Sequence, residues 1–266
     1  MFINYMNKID QQLKRIKAEN RLGIMTHIVV GYPNLGESKN LVKAMIEAGV
    51  DFIEMQIPFS DPMADGPTIM KANKGALDSN TKVKDCFALM KEMSEQTDIP
   101  FLFMGYFNTV FNYGVEKFCQ DARVAGASGL IFPDLPLEEE ANDHFIKYAE
   151  ESNLYLIRVL SPASTRERIE KNKAIAKGFV YFVGRKGTTG ARADLDETLN
   201  KNLKTLKEHL NLPVAVGFGI STPEHIKALK GKAEVAVIGS ALLNVYNEKG
   251  GLGAVREFID QIIQVR

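Results

Sequence analysis

Short apolar runs recur along this chain at near-regular intervals, separated by stretches with the apolar spacing of helices. The runs fall at residues 24–30, 50–57, 100–104, 129–132, 154–160, 178–183, 213–217 and 235–238. Most are continuous rather than alternating, the pattern of parallel strands covered on both faces. Helical patterns follow at 38–48, 83–94, 115–125, 138–151, 164–176, 195–210, 222–229 and 254–265, with one more, 4–18, ahead of the first strand. In the first of these, Leu41, Val42, Met45 and Ile46 share a face, and Gly49 follows as a C-terminal cap. Repeated strand–helix units require a parallel sheet with helical crossovers. Eight such units predict an α/β fold, a closed (β/α)8 TIM barrel with an extra N-terminal helix, rather than an open doubly wound sheet. No Pro/Ser/Gly-rich linker or shift in composition divides the sequence, so residues 1–266 are expected to form one barrel domain.

Composition excludes several functions. Lys plus Arg number 33 and Asp plus Glu 33, so no net charge draws the chain to nucleic acid or an anionic membrane. No apolar run is long enough to span a bilayer, and residues 1–20 lack a signal-type apolar core. Cys86 and Cys119 have neither metal nor redox spacing and read as buried thiols of a reducing, cytoplasmic compartment. His27, His144, His209 and His225 do not cluster, and no metal pattern appears.

The segment 54–68, E-M-Q-I-P-F-S-D-P-M-A-D-G-P-T, concentrates the candidate chemistry. Glu54 lies inside an apolar strand, where burying a carboxylate is costly unless something needs it there. Strand alternation places Phe52, Glu54 and Gln56 on one face and Ile53, Met55 and Ile57 on the other. If the first face points into the barrel, desolvation is expected to raise the pKa of Glu54 and suit it to giving and taking a proton. Asp65, on a loop expected to be exposed, should stay ionised. The structural alternative pairs Glu54 with a cation and makes Asp61 and Asp65 turn caps; for Asp61, directly before Pro62, turn capping is preferred to catalysis.

Small residues gather after the last two strands, at Gly217-Phe218-Gly219-Ile220 and Gly239-Ser240. These are the loops that bind phosphate in many such barrels, and two of them in the expected places favour that reading over tight turns alone. The loop 184–192, G-R-K-G-T-T-G-A-R, fits a closing lid and an ordinary solvated loop equally well. Asp134 reads as a turn or capping group. Tyr106 and Tyr181 fall near strand ends, where they line a pocket or pack in the core, and His27 reads as a core histidine.

With these residues in hand, the chain resembles the tryptophan synthase alpha subunit family. The resemblance is carried by P-F-S-D-P-M-A-D-G-P-T, Gly31-Tyr32-Pro33, Met104-Gly105-Tyr106-Phe107-Asn108, Asp134-Leu135-Pro136, Gly187-Thr188-Thr189-Gly190, Gly217-Phe218-Gly219-Ile220 and Gly239-Ser240, and it runs over nearly the whole chain. It implies a lyase of tryptophan biosynthesis that cleaves indole-3-glycerol phosphate to indole and glyceraldehyde 3-phosphate. It further implies that Glu54 transfers protons, that Asp65 binds the ring N–H, and that backbone around Gly190, Gly219, Gly239 and Ser240 holds the phosphate. Tyr106 and Tyr181 would line the pocket, Phe218 would pack on the ligand, and Thr189 would belong to the closing loop. The family resemblance implies no metal or organic cofactor, and a pyridoxal-phosphate beta subunit as partner in an αββα heterotetramer, with Asp61 near that interface. Two residues depart from the family pattern: Gln56 stands where Gly is usual, on the face of Glu54, where it could hydrogen-bond that carboxylate, lower its pKa or crowd the pocket, and His27 stands where Phe or Tyr is usual. They motivate the alternative of a weakly active alpha-like chain that mainly activates its partner. A sugar-phosphate isomerase on the same barrel would leave the P-F-S-D-P-M-A-D-G-P run unexplained.

Overall fold

Eight parallel strands pair in chain order and close on themselves. They are β1 (Gly23–Val29), β2 (Phe52–Gln56), β3 (Phe101–Met104), β4 (Ala127–Ile131), β5 (Tyr155–Leu160), β6 (Val180–Val183), β7 (Val214–Gly217) and β8 (Val235–Ile238). Closure is made by β8 against β1, from Gly23 opposite Val235 to Thr26 opposite Ile238. The computed structural model describes residues 6–135, 137, 140–183, 197–217 and 219–266. The expected (β/α)8 barrel is therefore present, with each strand within two residues of its apolar run.

The helices are α1 (Lys8–Ala18), α2 (Leu35–Ala48), α3 (Pro67–Asp78), α4 (Val83–Ser94), α5 (Phe107–Tyr113), α6 (Val115–Val124), α7 (Glu140–Asp143), α8 (Phe145–Glu151), α9 (Arg166–Lys173), α10 (Glu197–His209), α11 (Pro223–Leu229), α12 (Ser240–Lys249) and α13 (Leu252–Gln264). Gly49 ends α2 in the left-handed region at φ 79°, as its position suggested. Three helices were not expected. The buried face of α3 is Ile69, Ala72, Asn73 and Ala76, too small and too polar to show a helical period, although Gly66-Pro67 supplies a helix start. In α5 only Val110 is fully buried, and α12 begins immediately after β8. The helix expected over 138–151 is divided at His144, whose φ of 52° separates α7 from α8.

The pleat of β2 sorts its side chains as expected. Ile53, Met55 and Ile57 join the apolar layer between barrel and helices, and Phe52 joins the cluster inside the barrel. Two isoleucines of α1, Ile9 and Ile16, belong to that inner cluster, so α1 stops the lower end of the barrel. Glycines make the room. A Cβ at Gly23 would lie 2.6 Å from the Ile16 side chain, at Gly129 2.9 Å from that of Ile9, and at Gly178 2.8 Å from that of Ile9. Polar contacts hold the helix in place. The Asn7 side chain donates to the Ser128 carbonyl at 2.9 Å and accepts from the Ile9 N–H at 2.9 Å, capping α1. The Tyr155 hydroxyl donates to Asp10 at 2.6 Å. Buried Asp51, just before β2, receives the Arg21 guanidinium at 2.7 Å, the Ile24 N–H at 2.9 Å and Arg266 at 3.1 Å. This fastens the C-terminal residue to the same end of the barrel.

Gly129→Ala is expected to destabilise the protein by about 1–3 kcal/mol, because the added methyl meets both Ile9 and the fixed Tyr155 carbonyl. Urea unfolding measures this, and an unchanged midpoint would mean that α1 does not seal the barrel.

Candidate active site

At the opposite end, the carboxyl ends of the strands surround a cavity of about 1030 Å³. Glu54 reaches it from β2 and is only 2% exposed. Across the β1–β2 pairing, His27 is its register partner, with Nδ1 3.2 Å from Glu54 Oε1. His27 is 5% exposed. Burial opposes the charged ring, yet the adjacent Glu54 carboxylate, helped by Asp65 and Gln56, outweighs it and the His27 pKa is raised. Glu54 is thus inside the barrel as expected, but with an imidazole beside it. Glu54 Oε2 has no hydrogen-bond partner among the described residues.

The loop after β2 folds back over the mouth instead of projecting into solvent. Asp65 is half-buried, and burial pushes its carboxyl up from the usual carboxylate range, against opposing contributions from Gln56, His27 and Tyr106. The expectation that Asp65 sits exposed is corrected: the loop is tied down at Phe59 and at Ala64–Asp65, while Asp61 and Met63 between them face solvent. Buried Asn73 of α3 accepts the Phe59 N–H at 2.9 Å, and the Phe59 ring stacks on Tyr106 at 5.1 Å. The Tyr106 hydroxyl accepts the Ala64 N–H at 3.0 Å and donates to Asp65 Oδ2 at 3.1 Å. Tyr106 accordingly stands behind Asp65, buried, and supports it. Of the possibilities open to Gln56, hydrogen bonding to Glu54 is not the one realised. Its amide donates to Asp65 Oδ2 at 2.7 Å and makes no hydrogen bond to Glu54.

Tyr181 on β6 lines the same cavity, its phenol pushed well above its ordinary value by burial and then by Glu54 and Asp65. Gly217 lets that ring lie across β7, since a Cβ there would come within 2.7 Å of it. Gly219 is left-handed at φ 60°, a conformation suited to glycine, and opens onto the cavity with Gly239 and Ser240. Ser240 starts the ten-residue α12, whose unpaired N–H groups and dipole favour an anion at this edge. Thr68 donates to Asn244 of α12 at 3.0 Å, joining the carboxylate side of the cavity to the glycine side.

Asp134 caps α5, both its oxygens lying 3.0 Å from the Phe107 N–H. Asp61 is exposed, accepts from the Ser60 hydroxyl at 2.7 Å and does not line the cavity; beside it Met63 is 89% exposed. Thr189, Gly190, Phe218 and the loop 184–192 lie outside the described residues. Sequence reasoning missed Arg168, an exposed cation on α9 that lines the cavity; its position in the first turn of the helix after β5 was the available signal. Among the described residues no group of three His, Cys, Asp or Glu side chains is placed to hold a metal ion.

A family model described as tryptophan synthase alpha chain matches residues 13–258. The chain is 45% identical over 242 residues to the tryptophan synthase alpha chain of Desulfotalea psychrophila, covering 91% of this chain and 94% of that one. Its identity to the corresponding chain of a Thermoanaerobacter species is 38% over 264 residues, 98% of this chain and 100% of the relative. Among solved structures it is similar to Mycobacterium tuberculosis tryptophan synthase, with a TM-score of 0.89 at 31% identity and 97% of each chain covered. Legionella pneumophila tryptophan synthase subunit alpha gives a TM-score of 0.88 at 30% identity, with 98% of each covered.

The raised His27 pKa has a consequence for stability. The His27–Glu54 pair stabilises the fold fully below the ordinary histidine value of about 6.5, and that contribution is lost as pH rises through the folded-state value. Thermal unfolding of the wild type and of His27→Asn is expected to show a gap at about pH 6 that narrows as pH rises through the raised folded-state value. A gap that does not vary with pH would remove the ionic character of the pair.

Proposed function

The chain belongs to the tryptophan synthase alpha chain family, and from that premise we propose that it cleaves indole-3-glycerol phosphate with Glu54 and Asp65 as its catalytic carboxylates. The reaction yields indole and glyceraldehyde 3-phosphate, so the chain is a carbon–carbon lyase of tryptophan biosynthesis. The carrying observation is that Glu54 and Asp65 face one cavity whose other edge is built from Gly219, Gly239 and the start of α12.

In the proposed mechanism the Glu54 carboxylate removes the proton from the side-chain hydroxyl next to the indole ring and supplies a proton to ring C3. The bond between C3 and the side chain breaks, its electron pair passes into the ring, and the former hydroxyl carbon becomes the aldehyde. Asp65 accepts a hydrogen bond from the ring N–H and stabilises the positive charge that develops there before cleavage. The donors on Asp65, Gln56 and Tyr106, support this role by fixing the direction of its carboxylate. Backbone N–H groups at Gly219, Gly239 and Ser240, with Gly190, hold the phosphate in this reading. Tyr181 lines the pocket beside Glu54, Phe218 packs on the ligand, and Thr189 belongs to a loop that closes over it. The steps transfer protons and rearrange bonds with no net redox change, which two carboxylates can serve.

The family works with a beta subunit, which takes up the indole. Asp61 and the neighbouring exposed Met63 are proposed to meet that partner, consistent with their position outside the cavity. The inward placement of both carboxylates favours a working lyase over a chain that only activates its partner. No described helix is long and apolar enough to cross a membrane. Buried Cys86 and Cys119, the latter pushed up to about 12 by burial and then Glu140, suit the reducing cytoplasm proposed as the location. The continuous barrel supports one domain over residues 1–266.

Indole release from indole-3-glycerol phosphate, measured with and without beta subunit, tests the assignment. Glu54→Gln is expected to lower the rate by at least about 100-fold while the substrate still binds. Near-normal turnover in that variant would remove Glu54 from the mechanism.

A further inference from the structure

We propose that His27 and Gln56 are positioning residues that join the two carboxylates of this site into one hydrogen-bonded chain, His27 holding Glu54 through Nδ1 and Gln56 holding Asp65 through its amide nitrogen. What the chain serves rests on the lyase reading; the chain itself rests on geometry. The two end contacts are in place, at 3.2 Å for His27 Nδ1 to Glu54 Oε1 and 2.7 Å for Gln56 Nε2 to Asp65 Oδ2. His27 and Gln56 are diagonal neighbours across the β1–β2 pairing, since His27 is opposite Glu54 and Val29 is opposite Gln56.

Two buried atoms remain, His27 Nε2 and Gln56 Oε1, and neither has a hydrogen-bond partner among the described residues. An orphaned polar atom in the interior is costly, and these two complement each other only while Nε2 carries a hydrogen, which, with Nδ1 also donating to Glu54, makes the ring an imidazolium. The imidazolium offers an N–H at Nε2, and in the proposed chain the orphaned Gln56 carbonyl is its acceptor. The side chains are near enough for Gln56 to favour the charged ring. The chain then runs from Glu54 through the imidazolium and the Gln56 amide to Asp65, which also accepts from Tyr106.

Loss of the His27 proton reverses the polarity at the middle of the chain. If Nδ1 keeps its N–H on Glu54, Nε2 becomes an acceptor facing the Gln56 carbonyl oxygen. Rotating the Gln56 amide relieves that contact but turns the carbonyl oxygen onto the Asp65 carboxylate and breaks the 2.7 Å bond. A proton lost beside Glu54 thereby releases Asp65. The titratable groups that act on His27 are Glu54 on β2 and Asp65 on the loop after it; Tyr181 on β6 lines the same cavity with its phenol pushed well above its ordinary value. β8 carries no ionisable side chain, and Gly239 after it leaves space at the His27 ring.

The test is the pH dependence of kcat and KM for indole release by the complex with beta subunit. In the wild type, kcat/KM is expected to fall on the alkaline side as His27 loses its proton. His27→Phe is expected to lose that limb and to lower kcat about tenfold. His27→Gln, a neutral side chain that still donates to Glu54, is expected to recover kcat without recovering the limb. Gln56→Gly is expected to lower kcat/KM about tenfold, because Asp65 both binds the ring N–H and stabilises the charge that develops on the ring. Superimposable pH profiles of wild type and His27→Phe would overturn the proposal. A second readout, imidazole 15N NMR of the full chain without substrate, is independent of turnover. There the His27 titration midpoint is expected to move down in both Gln56→Gly and Asp65→Asn, and a midpoint unmoved in both would overturn the chain. If the wild-type complex releases no indole, the lyase reading fails and the NMR measurement decides the chain by itself.

Discussion

An eight-stranded barrel must have its interior filled, and this chain fills it differently at its two ends. Below, α1 inserts Ile9 and Ile16 where Gly23, Gly129 and Gly178 leave space, so the lower interior is apolar and close-packed. Above, the inward side chains turn polar and stop short of filling the mouth. β2 makes the change within five residues, from Phe52 in the inner cluster through Glu54 to Gln56. A carboxylate set just above an apolar floor has little water to compete for it, so the few polar groups in reach fix its direction. His27 is the nearest of them.

The second carboxylate is positioned by a different device. Asp65 lies on a loop, and loops do not hold side chains as firmly as strands do. Here the loop is fastened by Asn73 at Phe59, by Phe59 stacking on Tyr106, and by Tyr106 at both Ala64 and Asp65. Asn73 comes from α3, the helix that the loop leads into. Loop and helix therefore brace each other, and the reach of Gln56 to Asp65 ties the result to the strand.

Much of this was legible in the sequence because burial on both faces leaves a continuous apolar run, and eight such runs permit few topologies. The inward face of β2, the C-terminal cap at Gly49 and the capping role of Asp134 follow from local rules. The unexpected helices share a cause. α3 hides small and polar residues, α5 buries only Val110 fully, and α12 follows β8 with no loop to announce it. Within the site, residue identity indicated which groups could act but not which would meet. Gln56 shares the face of Glu54 yet bonds to Asp65, because the loop returns over the mouth, a tertiary event that strand alternation does not record. His27 read as a core histidine for the same reason, since its partner lies on the adjacent strand.

The contacts that seat α1 have a temporal side. Asn7 bonds to Ser128 and Asn153, 121 and 146 residues further along, and Ile9 fits against Gly129 and Gly178. A ribosome makes this helix before the strands that receive it exist. Its isoleucine face must wait, exposed, until more than half the chain has followed, and only then can it dock. A nascent chain that pauses before β6 therefore carries an unprotected apolar surface on α1.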